Sequence, residues 1–191
     1  MMSDLDACIR FIQEAEGLKS VTRTSWTAAG RRESTAEHSW RLALLAWALL
    51  DFYPELDKGR VLTLCLVHDL GERYGGDLCA ADLPDPGEKE AMERAGIEQL
   101  FSLLPPGKGA EFRALWEEYE AAETPEARLV KALDKAETIL QHNQGRMPED
   151  FDYDFNLDYG KAWFQGDPFL EELRRSLDAG TRARMEGQKG G

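Results

Sequence analysis

Residues 61–72 read VLTLCLVHDLGE, an apolar segment that ends in the adjacent pair His68-Asp69. The apolar run predicts a buried helix, so the imidazole and the carboxylate are expected at the edge of a hydrophobic core. Burial of two such polar groups side by side is costly unless a partner pairs them. A divalent metal ion would serve as that partner, and so would an arginine. The pair is the first indication of a functional site.

Two further residues of the same chemistry, His38 and Asp134, lie in other segments with helical periodicity. Taken singly, a histidine near a helix start is most often structural, and Asp134, between Lys131 and Lys135, is typical of a surface ion pair. Taken together with His68-Asp69, they supply the imidazole nitrogens and carboxylate oxygens that divalent transition metals accept. The four residues therefore predict a metal site, provided that they converge.

The composition describes one acidic globular domain. The 191 residues include 36 acidic and 23 basic side chains, for a formal net charge of −13, and 42% are hydrophobic. A chain of this length supplies one core of ordinary size. A strongly acidic surface repels nucleic-acid backbones and anionic membranes, so we expect no nucleic acid and no membrane as a partner.

The sequence shows no signal for export or membrane insertion. The start, MMSDLDACIRFIQ, has no basic region before a long apolar stretch, and the longest apolar run, LALLAWALL at 42–50, is far shorter than a membrane span. Cys8, Cys65 and Cys79 are odd in number and lack CxxC spacing, which favours a reducing compartment over a disulfide framework. We therefore expect a cytoplasmic protein.

Helical periodicity and start signals predict an all-α protein, a single compact helical bundle. A capping box at Ser34 and Glu37, an aspartate cap at Asp57, and Thr124 followed by proline mark the clearest helix starts. The predicted helices lie at about 5–16, 34–52, 57–71, 88–104, 109–122, 124–143 and 168–177.

The remaining segments are predicted as loops. Residues 18–33, LKSVTRTSWTAAGRRE, contain three arginines and show no alternating strand pattern. Residues 71–87 are rich in Gly, Pro and Asp, and loops of that length are often functional. Residues 144–160 are aromatic and acidic, and they would cover either an interface or the chain's own core. The domain is expected to span 1–178, with a disordered tail over 179–191.

The order of the metal-binding candidates resembles the HD-domain superfamily of metal-dependent phosphohydrolases: a histidine, an adjacent His-Asp pair and a later aspartate, on separate helices. The sequence around these residues is similar to the 5′-deoxynucleotidase branch of that superfamily. The resemblance covers about residues 5–143 and implies an HD-domain helical bundle. Its motifs are EHSWR at 37–41, LVHDLGE at 66–72, GD at 76–77, LWEEYE at 115–120, TPEAR at 124–128 and KALDK at 131–135.

The resemblance implies that one divalent metal ion is bound by a set of two imidazoles and two carboxylates. Such a set leaves positions open on a six-coordinate ion for water and a phosphate oxygen, where the ion acts as a Lewis acid. It suits Mn²⁺, Co²⁺, Fe²⁺ or Zn²⁺, and the sequence does not choose among them. The implied ligands are His38, His68, Asp69 and Asp134.

The resemblance also implies two catalytic carboxylates, Glu72 and Asp77. They take part in water activation and in protonation of the leaving 5′-oxygen, with the division between them left open. A solvated charge at a helix end is the alternative for Glu72, and turn chemistry in the Gly-Gly-Asp sequence is the alternative for Asp77.

Arg23 and Trp26 resemble the arginine and tryptophan of the family that contact the substrate phosphate and sugar. Arg31 and Arg32 are competing candidates in the same loop. The alternative for the pair is structural, with the tryptophan folded onto the core and the arginine solvated.

Further positions are expected to support the site. Arg41, three residues after His38, and Lys131, one turn before Asp134, resemble family positions, and Lys131 is expected to pair with a site carboxylate. His142 matches no motif and is expected at the surface or at a helix end.

The function implied by the resemblance is hydrolysis of deoxyribonucleoside 5′-monophosphates, small-molecule nucleotides, to deoxynucleoside and phosphate. Trp26 is the candidate for excluding a 2′-hydroxyl. The first alternative is another HD activity, on a nucleoside triphosphate, a cyclic nucleotide or polyphosphate. The second is a non-catalytic metal-stabilised module that binds a nucleotide, against which Glu72 and Asp77 argue. The family also implies a homodimer.

Overall fold

The computed structural model describes residues 3–77 and 86–189, and their regular structure is almost entirely helical. The predicted all-α class is confirmed. None of the helices in that part of the chain has an apolar stretch long enough to cross a membrane. The helices are α1 (Asp4–Ala15), α2 (Thr35–Leu49), α3 (Lys58–Val67), α4 (Glu72–Gly75), α5 (Pro86–Phe101), α6 (Pro106–Ala121), α7 (Pro125–Gln144), α8 (Asp154–Asp158) and α9 (Pro168–Lys189).

The predicted helix starts are confirmed by their capping bonds. At α2 the Ser34 hydroxyl accepts from the Glu37 amide at 3.3 Å, and the Glu37 carboxylate accepts from the Ser34 amide at 2.9 Å. Asp57 caps α3 and Thr124 caps α7 through the same kind of side-chain acceptor. These bonds satisfy amides that a helix leaves without a partner, so the starts follow from local sequence.

Helix α7 is the centre of the bundle, and it packs against α2, α3, α6 and α9. Its apolar residues Leu129, Leu133 and Ala136 are buried as the periodicity predicts. Asp134 and Glu137 are buried on the same helix, which requires partners for both carboxylates. Helix α3 ends at Val67, slightly before the predicted end, so His68 and Asp69 lie in the turn that faces α7.

The segment predicted as a loop over 18–33 contains a short antiparallel hairpin, β1 (Thr22–Trp26) and β2 (Arg32–Ser34). Trp26 pairs with Arg32, and the turn closes at Gly30, whose φ of +85° favours glycine. The strands are too short to show a clear alternation in the sequence. The hairpin leads directly into α2 and packs on α7, which places β1 beside the histidine and aspartate residues.

The C-terminal part is more ordered than predicted. The last helix, expected over 168–177 with a disordered tail after it, continues to Lys189. Thr181 is buried and donates to the Asn143 side chain at 3.0 Å, and Arg184 donates to the Gly145 carbonyl oxygen at 2.7 Å. These bonds to the end of α7 hold the added helical turns. Residues 78–85 of the predicted loop 71–87, which include Cys79, lie outside the described residues.

Candidate active site

The predicted metal ligands come together between α2, the turn after α3, and α7. The ligand atoms of His38, His68 and Asp69 all lie within 4.8 Å of one another. Asp134 joins them, because its Oδ1 atom is 3.1 Å from His38 Nε2. Asp134 is 6% exposed, so its interpretation as a surface ion pair is wrong.

The hydrogen bond of His68 assigns its tautomer and tests whether a metal fits. Nδ1 donates to the Cys65 carbonyl oxygen at 2.9 Å, which leaves the lone pair of Nε2 available. Among the described residues the buried Nε2 atom has no hydrogen-bond partner, although Asp69 Oδ2 lies 3.0 Å away. A lone pair that faces a carboxylate oxygen is repelled by it, and a cation bound by both atoms relieves the repulsion. The residues present therefore fit a divalent metal.

His38 is prepared for the same role by a buried carboxylate. Its Nδ1 atom hydrogen-bonds to Glu137, which directs Nε2 towards Asp134 and Asp69. Burial and Arg23 act to lower the pKa of His38, but Glu137 and Asp134 outweigh them and raise it to about 9 in the metal-free protein. A metal ion and this proton compete for one lone pair, so metal binding is expected to release the proton.

Glu137 belongs to a second, deeper group of carboxylates with Glu33. The ligand atoms of Glu33, His38 and Glu137 also lie within 4.8 Å of one another. Both carboxylates already face a cation, however: Arg23 Nε is 3.6 Å from Glu33, and Arg41 Nη1 is 3.2 Å from Glu137. We assign this group to the support of His38. Burial, followed by the charge of Glu137, raises the pKa of Glu33 to about 7.

Asp134 is oriented by partners on its other oxygen. Oδ2 accepts from the Tyr119 hydroxyl at 3.0 Å and from Lys135 Nζ at 2.9 Å, which leaves Oδ1 facing His38. Burial acts to raise the pKa of Asp134, but Lys135 and then His38 hold it well below its usual range. Lys131, expected to pair with a site carboxylate, instead pairs with Glu120 at 2.9 Å and lies over the Tyr119 ring.

A cleft of about 570 Å³ opens beside this cluster, within the 300–1,000 Å³ range of small-molecule sites. His38 and His68 are buried next to it. The predicted site residues that line the cleft are Arg23, Trp26, Asp69, Glu72, Asp77 and Asp134.

Arg23 is the arginine of the hairpin that reaches the cluster. Its Nη1 atom is 3.5 Å from Asp69 Oδ2, and its Nη2 atom donates to Thr138 at 3.1 Å. Of the competing candidates, Arg31 pairs with Glu37 and Arg32 lies over the Trp26 ring at 5.2 Å, and neither lines the cleft. Of the three arginines of the hairpin, Arg23 is therefore the one that lines the cleft.

Glu72 is 3% exposed, so the alternative of a solvated helix end is wrong. Its Oε2 atom accepts from the Thr35 hydroxyl at 3.1 Å. Burial, followed by the charges of Asp69 and Asp77, raises the pKa of Glu72 to about 10 in the metal-free protein. The preceding Gly71 lies against the backbone of α5, where a Cβ atom would be 2.7 Å from a carbonyl oxygen, and this close contact fixes the start of α4.

Comparison with known proteins identifies the family. The family model described as the HD domain matches residues 15–172. The chain belongs to the HD domain family. It is 36% identical over 154 residues to 5′-deoxynucleotidase HDDC2 of Homo sapiens, an alignment that covers 75% of this chain and 74% of that protein. It is 34% identical over 139 residues to 5′-deoxynucleotidase hdd1 of Schizosaccharomyces pombe, covering 70% and 69%.

A solved structure extends the likeness to the whole fold. The structure is similar to a crystal structure described as a predicted metal-dependent phosphohydrolase from Magnetospirillum magnetotacticum MS-1, with a TM-score of 0.83 and 32% identity. The match covers 96% of this chain and 97% of that chain. Membership in the HD domain family implies a divalent metal ion, and the cluster of two histidines and two aspartates has the donor set for it.

Sequence reasoning missed several residues of this HD-domain site. His142, expected at the surface or at a helix end, lies in the last turn of α7 but is 4% exposed: its Nδ1 donates to Asn156 at 2.7 Å and its Nε2 accepts from Ser25 at 3.1 Å. Asp134, Thr138 and His142 recur every four residues and all line the cleft. That spacing, which places them on one face of α7, was the signal available in the sequence.

Proposed function

We propose that this protein hydrolyses deoxyribonucleoside 5′-monophosphates to a deoxynucleoside and phosphate with the help of a divalent metal ion. The observation that carries the proposal is the combination of its relatives with its site. Proteins named 5′-deoxynucleotidase are 34–36% identical to it over 139–154 aligned residues. Its cleft brings the candidate ligands, an arginine and two further carboxylates to one place. The protein is accordingly a metal-dependent hydrolase.

The residues of the chain supply distinct parts of the reaction. Arg23, held by Asp69 and Thr138, is placed to bind the phosphate of the substrate. The raised pKa of Glu72 favours its protonated form, as is required of a group that protonates the leaving 5′-oxygen. We assign to Asp77 the acceptance of the proton from the attacking water. Trp26 forms the wall that we propose excludes a 2′-hydroxyl.

The proposed ligands are His38, His68, Asp69 and Asp134, and the ion is Mn²⁺, Co²⁺, Fe²⁺ or Zn²⁺. When bound, the ion supplies Lewis acidity for the phosphate oxygens and activates water. Glu137 holds His38 in position, a carboxylate–histidine arrangement that raises the basicity of the ligating nitrogen.

The residues that line the cleft argue against two alternatives, hydrolysis of a more highly charged substrate and a module that binds nucleotides without catalysis. Its cations are Arg23, Lys89 and Lys135, and they already face several carboxylates, so a triphosphate or polyphosphate would meet excess negative charge. A module that only binds nucleotides has no use for Glu72, because burial of a carboxyl group is costly without a function or a full set of partners.

The test of the proposal is phosphate release from a panel of nucleotides. Chelator-treated protein restored with Mn²⁺, Co²⁺, Mg²⁺ or Zn²⁺ is expected to cleave deoxynucleoside monophosphates at least about tenfold faster than ribonucleotides, because a missing or clashing 2′-hydroxyl changes binding by more than 1 kcal/mol. Release from neither class, with metal bound, would contradict the proposal. Faster release from a triphosphate would favour the alternative HD activity.

We also propose a homodimer, formed through the outer face of α2. Trp40, Leu44 and Trp47 are 61%, 49% and 60% exposed, and their spacing puts them on one helical face. No acidic residue shares that face over 40–48, so two copies can meet there in spite of the net charge of −13.

Trp47→Glu is expected to convert a dimer into a monomer, because it places two like charges across a two-fold axis. Light scattering after size-exclusion chromatography measures the mass, and Phe52→Glu, an equally exposed aromatic outside the stripe, is the control. A wild-type monomer, or a variant that stays dimeric, would contradict the α2 interface.

We propose a reducing, cytoplasmic location for the protein. Cys8 and Cys65 are both free thiols. Burial raises the pKa of Cys65 to about 12, so this thiol is an inert core group rather than a redox group.

A further inference from the structure

The cleft extends beyond the metal-binding cluster to a segment that the proposed reaction does not use. This part is lined by residues of the aromatic and acidic stretch 148–159, which connects α7 to α9. The cluster end of the cleft carries Arg23, Lys89 and Lys135, whereas the far end carries Asp150 and Asp152. A phosphate held by Arg23 is therefore repelled from the far end by Asp150 and Asp152, which orients a bound nucleotide.

Phe155 is the most accessible aromatic ring at the far end. It lines the cleft and is 38% exposed, while its ring lies against Tyr159 with centroids 4.8 Å apart and planes at 30°. The neighbouring Phe151 is half-buried and packs edge-on against His142 at 4.8 Å and Tyr153 at 4.8 Å. Phe151 is thus packed on two sides, whereas Phe155, whose ring also lies 6.5 Å from that of His142, keeps part of its surface exposed in the cleft.

The far end is held rigidly to the strand that carries Arg23 and Trp26. His142 bridges the two parts, since it bonds to Ser25 on β1 and to Asn156 beside Phe155. Arg174 of α9 donates to the carbonyl oxygens of Asn156, Leu157 and Tyr159 at 2.8, 2.6 and 2.7 Å. These bonds satisfy the last carbonyls of α8 and fix the direction of Phe155.

We propose that Phe155, with Asp150 and Asp152, forms a nucleobase subsite. The base stacks on the ring of Phe155, and its exocyclic amino group donates to a carboxylate. This inference rests on the proposed function and adds a preference for certain nucleobases to the proposed active site. Asp152 Oδ1 accepts from the Asp154 amide at 3.0 Å, which leaves its other oxygen and the carboxylate of Asp150 to accept such a bond.

The carboxylates give the subsite a chemical preference. An ionised carboxylate only accepts hydrogen bonds. Cytosine, adenine and guanine present an exocyclic amino group, whereas thymine has carbonyl oxygens at the corresponding positions and donates there only through the N3–H that they flank. The subsite therefore favours the monophosphates of deoxycytidine, deoxyadenosine and deoxyguanosine over thymidine monophosphate. Exposure of both aspartates to water keeps this preference modest.

The contribution of base stacking on Phe155 is tested with two substrates, deoxycytidine monophosphate and 2-deoxyribose 5-phosphate, the second of which lacks the base. Phe155→Ala is expected to lower the ratio of their kcat/KM values roughly tenfold, the effect of losing one stacked base. Where the sugar phosphate turns over too slowly, its inhibition constant replaces kcat/KM. Phe155→Tyr should restore the ratio. Phe52→Ala, another exposed phenylalanine that does not line the cleft, should leave it unchanged.

Recognition of the base by the two carboxylates is tested with the double variant Asp150→Asn and Asp152→Asn. The ratio of kcat/KM for deoxycytidine monophosphate to that for thymidine monophosphate is expected to fall roughly 3- to 10-fold. Asp154→Asn, an exposed acid of the same segment that does not line the cleft, is the matched control. An equal rise in kcat/KM for both substrates would show only that charge repulsion is reduced. It would overturn the proposal that these carboxylates recognise the base.

The proposed function and the subsite fail in different ways. If the wild-type protein cleaves no deoxynucleotide, the proposed function fails, and the subsite is then judged by saturation-transfer NMR of deoxycytidine. Base-proton signals that are present with wild type and weakened in Phe155→Ala support the subsite. Absence of these signals with wild type, or their persistence in the variant, overturns it. Cleavage with unchanged ratios in both variants also overturns it.

Discussion

Asp69→Ala is expected to remove both the metal and the activity while the helical fold persists. Asp69 Oδ2 lies 3.0 Å from His68 Nε2 and 3.5 Å from Arg23, so its loss leaves the proposed metal without a central negative ligand. We expect metal affinity to fall by at least about 100-fold, the upper range for loss of a partner outside the ligand set. Lewis-acid stabilisation contributes several kcal/mol, so kcat/KM should fall about 10³-fold or more.

Three measurements separate this result from unfolding. Elemental analysis reports the bound metal, circular dichroism reports the helices, and thermal unfolding with added metal reports binding, since a ligand at 100 times its Kd adds about 2.7 kcal/mol. The melting temperature of wild type should rise with metal and that of Asp69→Ala should not. Asp51→Ala is the control, because Asp51 pairs with Lys58 at the surface and does not line the cleft. Full activity of Asp69→Ala at low metal would refute the metal cluster.

Local signals in the sequence were sufficient for the clearest helix starts but not for the convergence of the cluster. The caps at Ser34, Asp57 and Thr124 depend on residues three positions apart, so they can be identified without the fold. The approach of His38 to Asp134 joins residues 96 positions apart. It could be expected only because the order of the motifs resembles a known family.

Other features depend on tertiary packing and had no clear local signal. Glu137 looks like any charged residue of a helix until its contact with His38 is seen. The hairpin strands are stabilised by α2 and α7 rather than by their own alternation. The end of α9 is polar, and the bonds of Thr181 and Arg184 to the end of α7 keep it helical. In each case a long-range polar contact decides the structure, and periodicity does not report such contacts.

Glu72→Gln is expected to keep the metal and lose turnover by about 10²- to 10⁴-fold, the usual contribution of a general acid or base. The amide oxygen can still accept from Thr35, so the buried site keeps its hydrogen bond. Metal content and the metal-dependent rise in melting temperature should match wild type. Glu120→Gln is the control, because Glu120 pairs with Lys131 and does not line the cleft. Unchanged turnover would remove Glu72 from the chemistry.

The pH profile and the leaving group distinguish an acid from a base at this position. An acid works while protonated, so the rate should fall as the pH rises through the pKa of Glu72. That pKa is about 10 without metal, and a bound cation lowers it, which places the alkaline limb below pH 10. Glu72→Gln should lack this limb.

4-Nitrophenyl phosphate needs no proton on its leaving group, so the rate of its hydrolysis should fall far less in Glu72→Gln than that of a deoxynucleotide. Asp77→Asn, as the base, should slow both substrates equally. The reverse pattern would exchange the two roles.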